Sequence, residues 1–288
     1  MTDARIGFIG LGSMGASMAK RLLDWPGGLT VCDVRAEAVR PYTEAGAGSG
    51  ATPAEVADRA TIISVAVVDD AQVREVVTGQ AGILRSAAPG TVVAVHSTIS
   101  DRTAEDLGRE CATHGVEFVD APVSGGRPGA AKGRLAVMVG GSAAAFERVR
   151  APFGCFADLI VHAGPVGAGT RMKLARNLVH FVSFTAAAEA LRLAETAGID
   201  ITVLGEVVRH SDAVTGGPGA IMLRKNTAPI EDGDFWLPIF QHVRELGEKD
   251  LRLALDLAAR LDLPLPLAEL ALDRLGPGLG VGTSERQS

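Results

Sequence analysis

The sequence predicts an α/β domain built on a mainly parallel, doubly wound sheet, followed by an all-helical domain reached through one long helix. Three observations carry this reading. Short β-branched runs alternate with helical stretches up to about residue 160, a glycine-rich turn follows the first of those runs, and residues 170–197 contain neither Pro nor Gly.

The expected strands are 5–9, 29–33, 60–68, 91–97, 115–123, 134–141 and 158–162. Each is apolar along most of its length rather than alternating, the pattern of strands covered by helices on both faces. Helices are expected between them at 13–24, 36–45, 53–59, 71–77, 102–114 and 143–150. The segment 170–197 places Leu174, Leu178, Phe181, Val182 and Ala186 at helical spacing. At ~1.5 Å per residue such a helix reaches ~42 Å, longer than a small domain is wide. Further helices are expected at 201–209, 246–261 and 267–275, with an irregular glycine- and proline-containing stretch at 211–238 and a mobile tail from Gly276 onward. The division expected is 1–163 for a dinucleotide-binding domain and 164–288 for a helical substrate and dimerisation domain.

A chain of 288 residues suits about two domains. Its 47% hydrophobic and 22% charged content is that of a folded globular protein, not of a disordered or fibrous one. With 28 Lys and Arg against 34 Asp and Glu, and no lysine-rich block, nucleic acid is not an expected partner. Cys32, Cys111 and Cys155 are odd in number and widely spaced, which suits reduced thiols. The opening MTDARIGFIG lacks the basic start and long apolar core of a secretion signal, and no stretch is apolar enough to span a membrane, so a cytoplasmic protein is expected.

The glycine-rich turn is GLGSMG: Gly10, Leu11, Gly12, Ser13, Met14, Gly15. Lying between a strand and a helix, it reads as a Rossmann-type fingerprint. Gly10 permits the tight turn, Gly12 lets the backbone approach a pyrophosphate, and Gly15 lets helix and strand pack closely. Asp33, eighteen residues beyond Gly15, ends the second expected strand, where a carboxylate accepts from a ribose diol. The same carboxylate would repel a 2'-phosphate, so NAD is expected over NADP, although Arg35 lies close enough to turn toward a phosphate. Ser124, Gly125 and Gly126 form an expected flexible polar loop able to offer a hydroxyl and amides to a carboxylate. Lys173 and Asn177 stand four apart and share a helix face. Lys249 and Asp250 open an amphipathic helix on which Leu251, Leu255 and Ala258 face a core. The six histidines show no metal-ligand spacing, so no metal is expected. Of these, His96 reads as a strand-end residue near the cofactor.

These stretches together resemble the β-hydroxyacid dehydrogenase family, whose members act on 3-hydroxyisobutyrate, tartronate semialdehyde and related short acids and semialdehydes. The resemblance rests on GFIGLGSMGASMAKRL, HSTIS, DAPVSGGRPGAAKGRLAVMVGG, GAGTRMKLARN and KDLRLAL, in that family's order and covering most of the chain. It implies that Gly10, Gly12, Gly15, Asp33 and Thr98 hold the dinucleotide and that Ser124, Gly125, Gly126 and Asn177 hold the substrate. Lys173 would be the catalytic acid/base, and Lys249 would reach the nicotinamide. The site would lie in the cleft between the two domains. Two departures stand out. Ala66 and Val67 replace the family's usual Leu-Pro, with Val67 still expected to touch NAD through its backbone, and 211–240 does not match the usual pattern. In that region His210, Asp212, Arg224, Trp236, Phe240 and His242 are candidates for a non-standard pocket. Rival readings are an imine reductase or reductive aminase, which usually lacks a lysine at the position of Lys173, and a non-catalytic dinucleotide-binding module. The apolar long helix further predicts a homo-oligomer.

Overall fold

The computed structural model describes residues 4–282, and the chain divides into two compact units at residue 176, each described by itself below.

In the first unit the elements follow in the order β1 (Ile6–Ile9), α1 (Ser13–Lys20), β2 (Leu29–Cys32), α2 (Ala36–Glu44), β3 (Gly48–Ser49), α3 (Pro53–Ala57), β4 (Ile62–Val65), α4 (Asp70–Thr78), β5 (Val92–Val95), α5 (Asp101–Thr113), β6 (Glu117–Asp120), β7 (Val123–Ser124), α6 (Gly126–Lys132), β8 (Leu135–Gly140), α7 (Ala143–Phe153) and β9 (Ala157–Gly164). They build one sheet in the order β3-β2-β1-β4-β5-β6-β8-β7, with β9 on the other edge of β8. The strands from β3 to β6 are all parallel, and β8 enters antiparallel to β6 through the single pair Asp120 and Gly140. The doubly wound, mainly parallel reading is therefore what the chain forms. Because β1 lies between β2 and β4, the connections leave its carboxyl end in opposite directions and open a crevice there.

Alternation along the strands explains why the sheet is buried on both faces. Ile6 and Phe8 of β1 join Val31, Val92, Val119 and Val137 on one side, whereas Ile9 joins Ile63, Val65, Val93 and Phe118 on the other. Each fully buried side chain of this size contributes about 1.5–3 kcal/mol. Helix starts are set by local chemistry. Thr52, Asp69, Ser100 and Ser142 accept the amides of Glu55, Gln72, Thr103 and Ala145, caps worth about 1 kcal/mol each.

α8 (Ala168–Thr196) begins in the first unit and continues into the second, which otherwise holds α9 (Ile201–Thr215), α10 (Leu237–Arg260) and α11 (Pro266–Leu279). Glu189 of α8 accepts the Leu267 and Ala268 amides and so caps α11. A small core forms around Phe240, Leu279 and Val281, with Trp236, Val243 and Leu275 packed against it.

Several expectations need correction. The stretch expected to be irregular at 211–238 is helical to Thr215 and again from Leu237, so His210 and Asp212 sit on α9, exposed, and α10 starts nine residues before Leu246. The tail expected to be mobile is anchored through Val281: Arg224 donates to the Leu279 carbonyl and Arg244 to the Val281 and Gly282 carbonyls, and α11 runs to Leu279 through Pro277. Residues 283–288 lie outside the described residues. The loop expected to be flexible at Ser124–Gly126 is a short strand, β7, followed directly by α6. Among the described residues no helix is long and apolar enough to cross a membrane.

Candidate active site

The glycine turn sits at the carboxyl end of β1, beside the crevice. Gly10 has φ +92°, the left-handed region that favours glycine, and a side chain there would run into the Ala66 carbonyl. A Cβ on Gly15 would overlap the Gly10 carbonyl, which is why α1 can start so close to the turn. Around Gly12, by contrast, a Cβ would meet nothing within 4 Å. Gly12 is also the N-cap of α1 and gives that helix no side-chain cap. An eight-residue helix start with open space before it fits the pyrophosphate of a dinucleotide, which backbone amides around Gly12, Ser13 and Met14 would hold.

Asp33 follows β2 and faces this turn. Its Oδ2 accepts the Leu11 amide at 2.6 Å, and its Oδ1 accepts the Arg35 amide at 2.9 Å and pairs with Arg35 Nε at 3.1 Å. Burial alone would raise its carboxyl, and the hydrogen bonds from Arg35 and Leu11 outweigh that and hold it below the usual range. Arg35 also reaches the Leu11 carbonyl. Beyond β5 the Ser97 hydroxyl donates to the carbonyl of Val67, which follows β4, at 2.7 Å and accepts the Val67 amide at 3.0 Å, so both backbone groups expected to touch the cofactor already have a partner. Thr98, the next residue, is exposed.

Lys173 lies on the second turn of α8, only 8% exposed, with Nζ donating to the Val123 carbonyl at 2.7 Å. Burial lowers its pKa from the ordinary 10.5, and the neighbouring Arg176 charge lowers it further. The structure thus brings Lys173 onto the segment that carries Ser124, Gly125 and Gly126. Gly125 and Gly126 take φ of +127° and +63°, the range that favours glycine. Asn177 follows four residues along α8 and is half-buried, while Lys249 on α10 is largely exposed and paired with Asp250 at 3.0 Å.

His96 differs from its expected role. It follows β5, as foreseen, but is turned into the core against Phe8, Phe153 and Phe156, with Nδ1 on the Ala121 carbonyl and Nε2 on the Ser64 hydroxyl. Burial pushes its pKa down to about 4, so the ring is neutral, donating from Nδ1 and accepting at Nε2. Asp120 was overlooked as a site residue. It is fully buried, and its two oxygens accept the Gly167 amide at 2.7 Å and the Thr170 amide at 2.6 Å, although burial raises its pKa. A carboxylate closing the strand EFVD straight after the buried apolar pair Phe118 and Val119 was the available signal. Elsewhere, a wide groove of about 650 Å³ passes Glu105, Gly108, Pro165 and Val166, but Arg171 beside it is bound to Asp101 and Glu105, and no predicted site residue lines it. In the second unit a cavity of about 290 Å³ is lined by Arg224 and Phe240, with Asn226 and Thr227, so two of the six candidates for a non-standard pocket share one. Among the described residues no three His, Cys, Asp or Glu side chains group as metal ligands.

Residues 5–164 match the NAD-binding domain of 6-phosphogluconate dehydrogenase, and residues 167–276 match the NAD-binding domain of NADP-dependent 3-hydroxyisobutyrate dehydrogenase. The chain belongs to the β-hydroxyacid dehydrogenase family. As a β-hydroxyacid dehydrogenase family member it is an NAD(P)-dependent oxidoreductase. An uncharacterized oxidoreductase of Mycobacterium tuberculosis H37Rv is 59% identical over 277 residues, 96% of this chain and 94% of that one. L-threonate dehydrogenase of Cupriavidus necator is 34% identical over 268 residues, 92% of this chain and 87% of that one. A crystal structure of an oxidoreductase from Mycobacterium avium 104 superimposes with a TM-score of 0.93 at 52% identity, covering 97% of this chain and all of that one.

Proposed function

We propose that this family member interconverts a short β-hydroxy acid and its semialdehyde with NAD, using Lys173 as the general acid/base. The observation that carries the reading is the buried Lys173 amine held 2.7 Å from the Val123 carbonyl, one residue before Ser124. An amine in that environment loses its proton more readily than one in water, which is what a base working near neutral pH requires. The relationship to 3-hydroxyisobutyrate and L-threonate dehydrogenases supports a small hydroxy acid as substrate.

In this reading the Ser124 hydroxyl and the Gly125 and Gly126 amides bind the substrate carboxylate, and Asn177 orients the hydroxyl. Lys173 Nζ, in its neutral form, takes the hydroxyl proton as the carbon is oxidised and returns it in the reverse direction. The dinucleotide supplies the hydride acceptor. Gly10, Leu11, Gly12, Ser13, Met14 and Gly15 hold its pyrophosphate, Asp33 its ribose diol, and Thr98 its central part. Asp33 favours NAD over NADP through its negative charge. The protein acts as a homo-oligomer, supported by the exposed apolar side chains of Leu178, Phe181, Val182 and Phe184 on α8.

A panel of 3-hydroxy acids assayed with NAD and with NADP, followed by the absorbance of reduced cofactor, tests the reading. Turnover of at least one short 3-hydroxy acid is expected. Activity confined to amines or imines, or none with any hydroxy acid, overturns it.

A further inference from the structure

We propose that Asp120 is the positioning residue for Lys173: its buried carboxylate fixes the first turn of α8, and with it the height of the Lys173 amine over the Val123–Gly126 segment. The inference rests on the reading of Lys173 as acid/base.

Asp120 is the last residue of β6, with no solvent exposure. Its Oδ1 accepts the Gly167 amide and its Oδ2 the Thr170 amide, so one carboxylate grips both sides of the start of a 29-residue helix. A negative charge at that end of a helix is favoured by the helix dipole and by charge-assisted hydrogen bonds. Two short segments are then tied at both ends. From Asp120 the chain reaches Val123, whose carbonyl accepts Lys173 Nζ at 2.7 Å, and from Lys173 three residues lead back to Thr170, whose amide returns to Asp120. Residues 120–123 and 170–173 therefore form a closed ring that leaves the lysine little freedom to slide along the strand.

The packing around the ring is backbone on backbone. A Cβ on Gly140 would run into Asp120 Oδ1, and one on Gly169 would run into the Met138 carbonyl and lie 2.5 Å from the Asp120 carbonyl oxygen. Arg171, between Thr170 and Lys173, pairs with Asp101 and Glu105 of α5 and ties the same turn of α8 to a further helix. A helix cap needs only one acceptor. Two acceptors on one carboxylate, closed through the lysine, set a position. Asparagine cannot replace it, since its NH₂ would face one of the two amides.

The test is Asp120→Asn, compared in wild-type and Lys173→Ala backgrounds. A misplacement of the amine by an ångström costs up to ~10²-fold, so kcat is expected to fall about 10- to 100-fold. Cofactor affinity by fluorescence titration should stay within twofold, the substrate deuterium isotope effect should rise as chemistry becomes limiting, and the substitution should add nothing to the residual rate of Lys173→Ala. Thr170→Pro, which keeps the carboxylate but removes one of its two donors near the helix start, should lower kcat in the same way and serves where Asp120→Asn does not fold. Wild-type kcat in the folded Asp120→Asn protein, or in folded Thr170→Pro when Asp120→Asn does not fold, overturns the proposal. An equal loss in both lysine backgrounds also overturns it, because Asp120 would then act on stability and not through Lys173. Full activity of Lys173→Ala alone overturns the acid/base reading instead, a result distinct from either.

Discussion

Asp33 Oδ2 accepts the Leu11 amide at 2.6 Å, so the carboxylate at the end of β2 holds the glycine turn at the end of β1. The residue proposed to receive a ribose is thus also a strut of the phosphate loop. Asp33→Asn keeps the size but removes the charge, and one hydrogen bond to a charged group is worth about 1.5–3 kcal/mol. NAD affinity should therefore fall about tenfold or more, with the ratio of kcat/KM for NADP over NAD rising. Steady-state kinetics with both cofactors checks this, and a tenfold wild-type preference for NADP would assign the site to Arg35 instead.

Lys173→Ala should reduce turnover by ~10²- to 10⁴-fold while NAD binding is kept, the usual share of general acid/base assistance. Since the amine must be neutral to accept a proton, oxidation should climb with pH through a limb placed below the ordinary 10.5, because burial and Arg176 both disfavour the charged form. That limb should vanish in the variant. A pH–rate profile identical in the two proteins would remove Lys173 from the proton path.

Much of this was open to reading from residues alone, and the reasons differ by region. The parallel sheet showed itself because strands buried on both faces are apolar along most of their length, and the GLGSMG turn because Gly10 and Gly15 are required by close approaches to the Ala66 and Gly10 carbonyls. The strand-end position of His96 was legible, but its burial was not, since only the third dimension places three phenylalanines around the ring. The helix start at Leu237 was hidden by Pro238, which is tolerated in a first helical turn, and the anchoring of 279–282 depends on arginines 37 to 55 residues away.

His96 should make stability acid-sensitive. Its folded pKa of about 4 lies below the free value of 6.5, so between those limits the unfolded chain binds a proton that the folded chain refuses. Its contribution is complete above 6.5 and is lost as pH falls toward 4, reaching roughly 3 kcal/mol. Denaturant unfolding at pH 7 and pH 5 should show a drop in the wild type that His96→Gln reduces. Equal drops in both proteins would place the sensitivity elsewhere.

Light scattering at micromolar concentration should give at least twice the 29.7 kDa chain mass. Leu178 and Phe181, 67% and 59% exposed on α8, are the side chains whose replacement by glutamate should lower that mass. A monomeric wild type would show that this apolar face is not used between copies.

Gly140 and Gly169 face each other across the seam between β8 and α8, where even a methyl group collides with main-chain oxygen. Neither position can drift alone, since no replacement at one makes room for a change at the other. A library randomised for new substrates would recover glycine at both, however freely the Ser124 side of the site varied. On the proposed role of Lys173, repertoire would change through what surrounds the amine, while the joint that carries the amine stays the same from variant to variant.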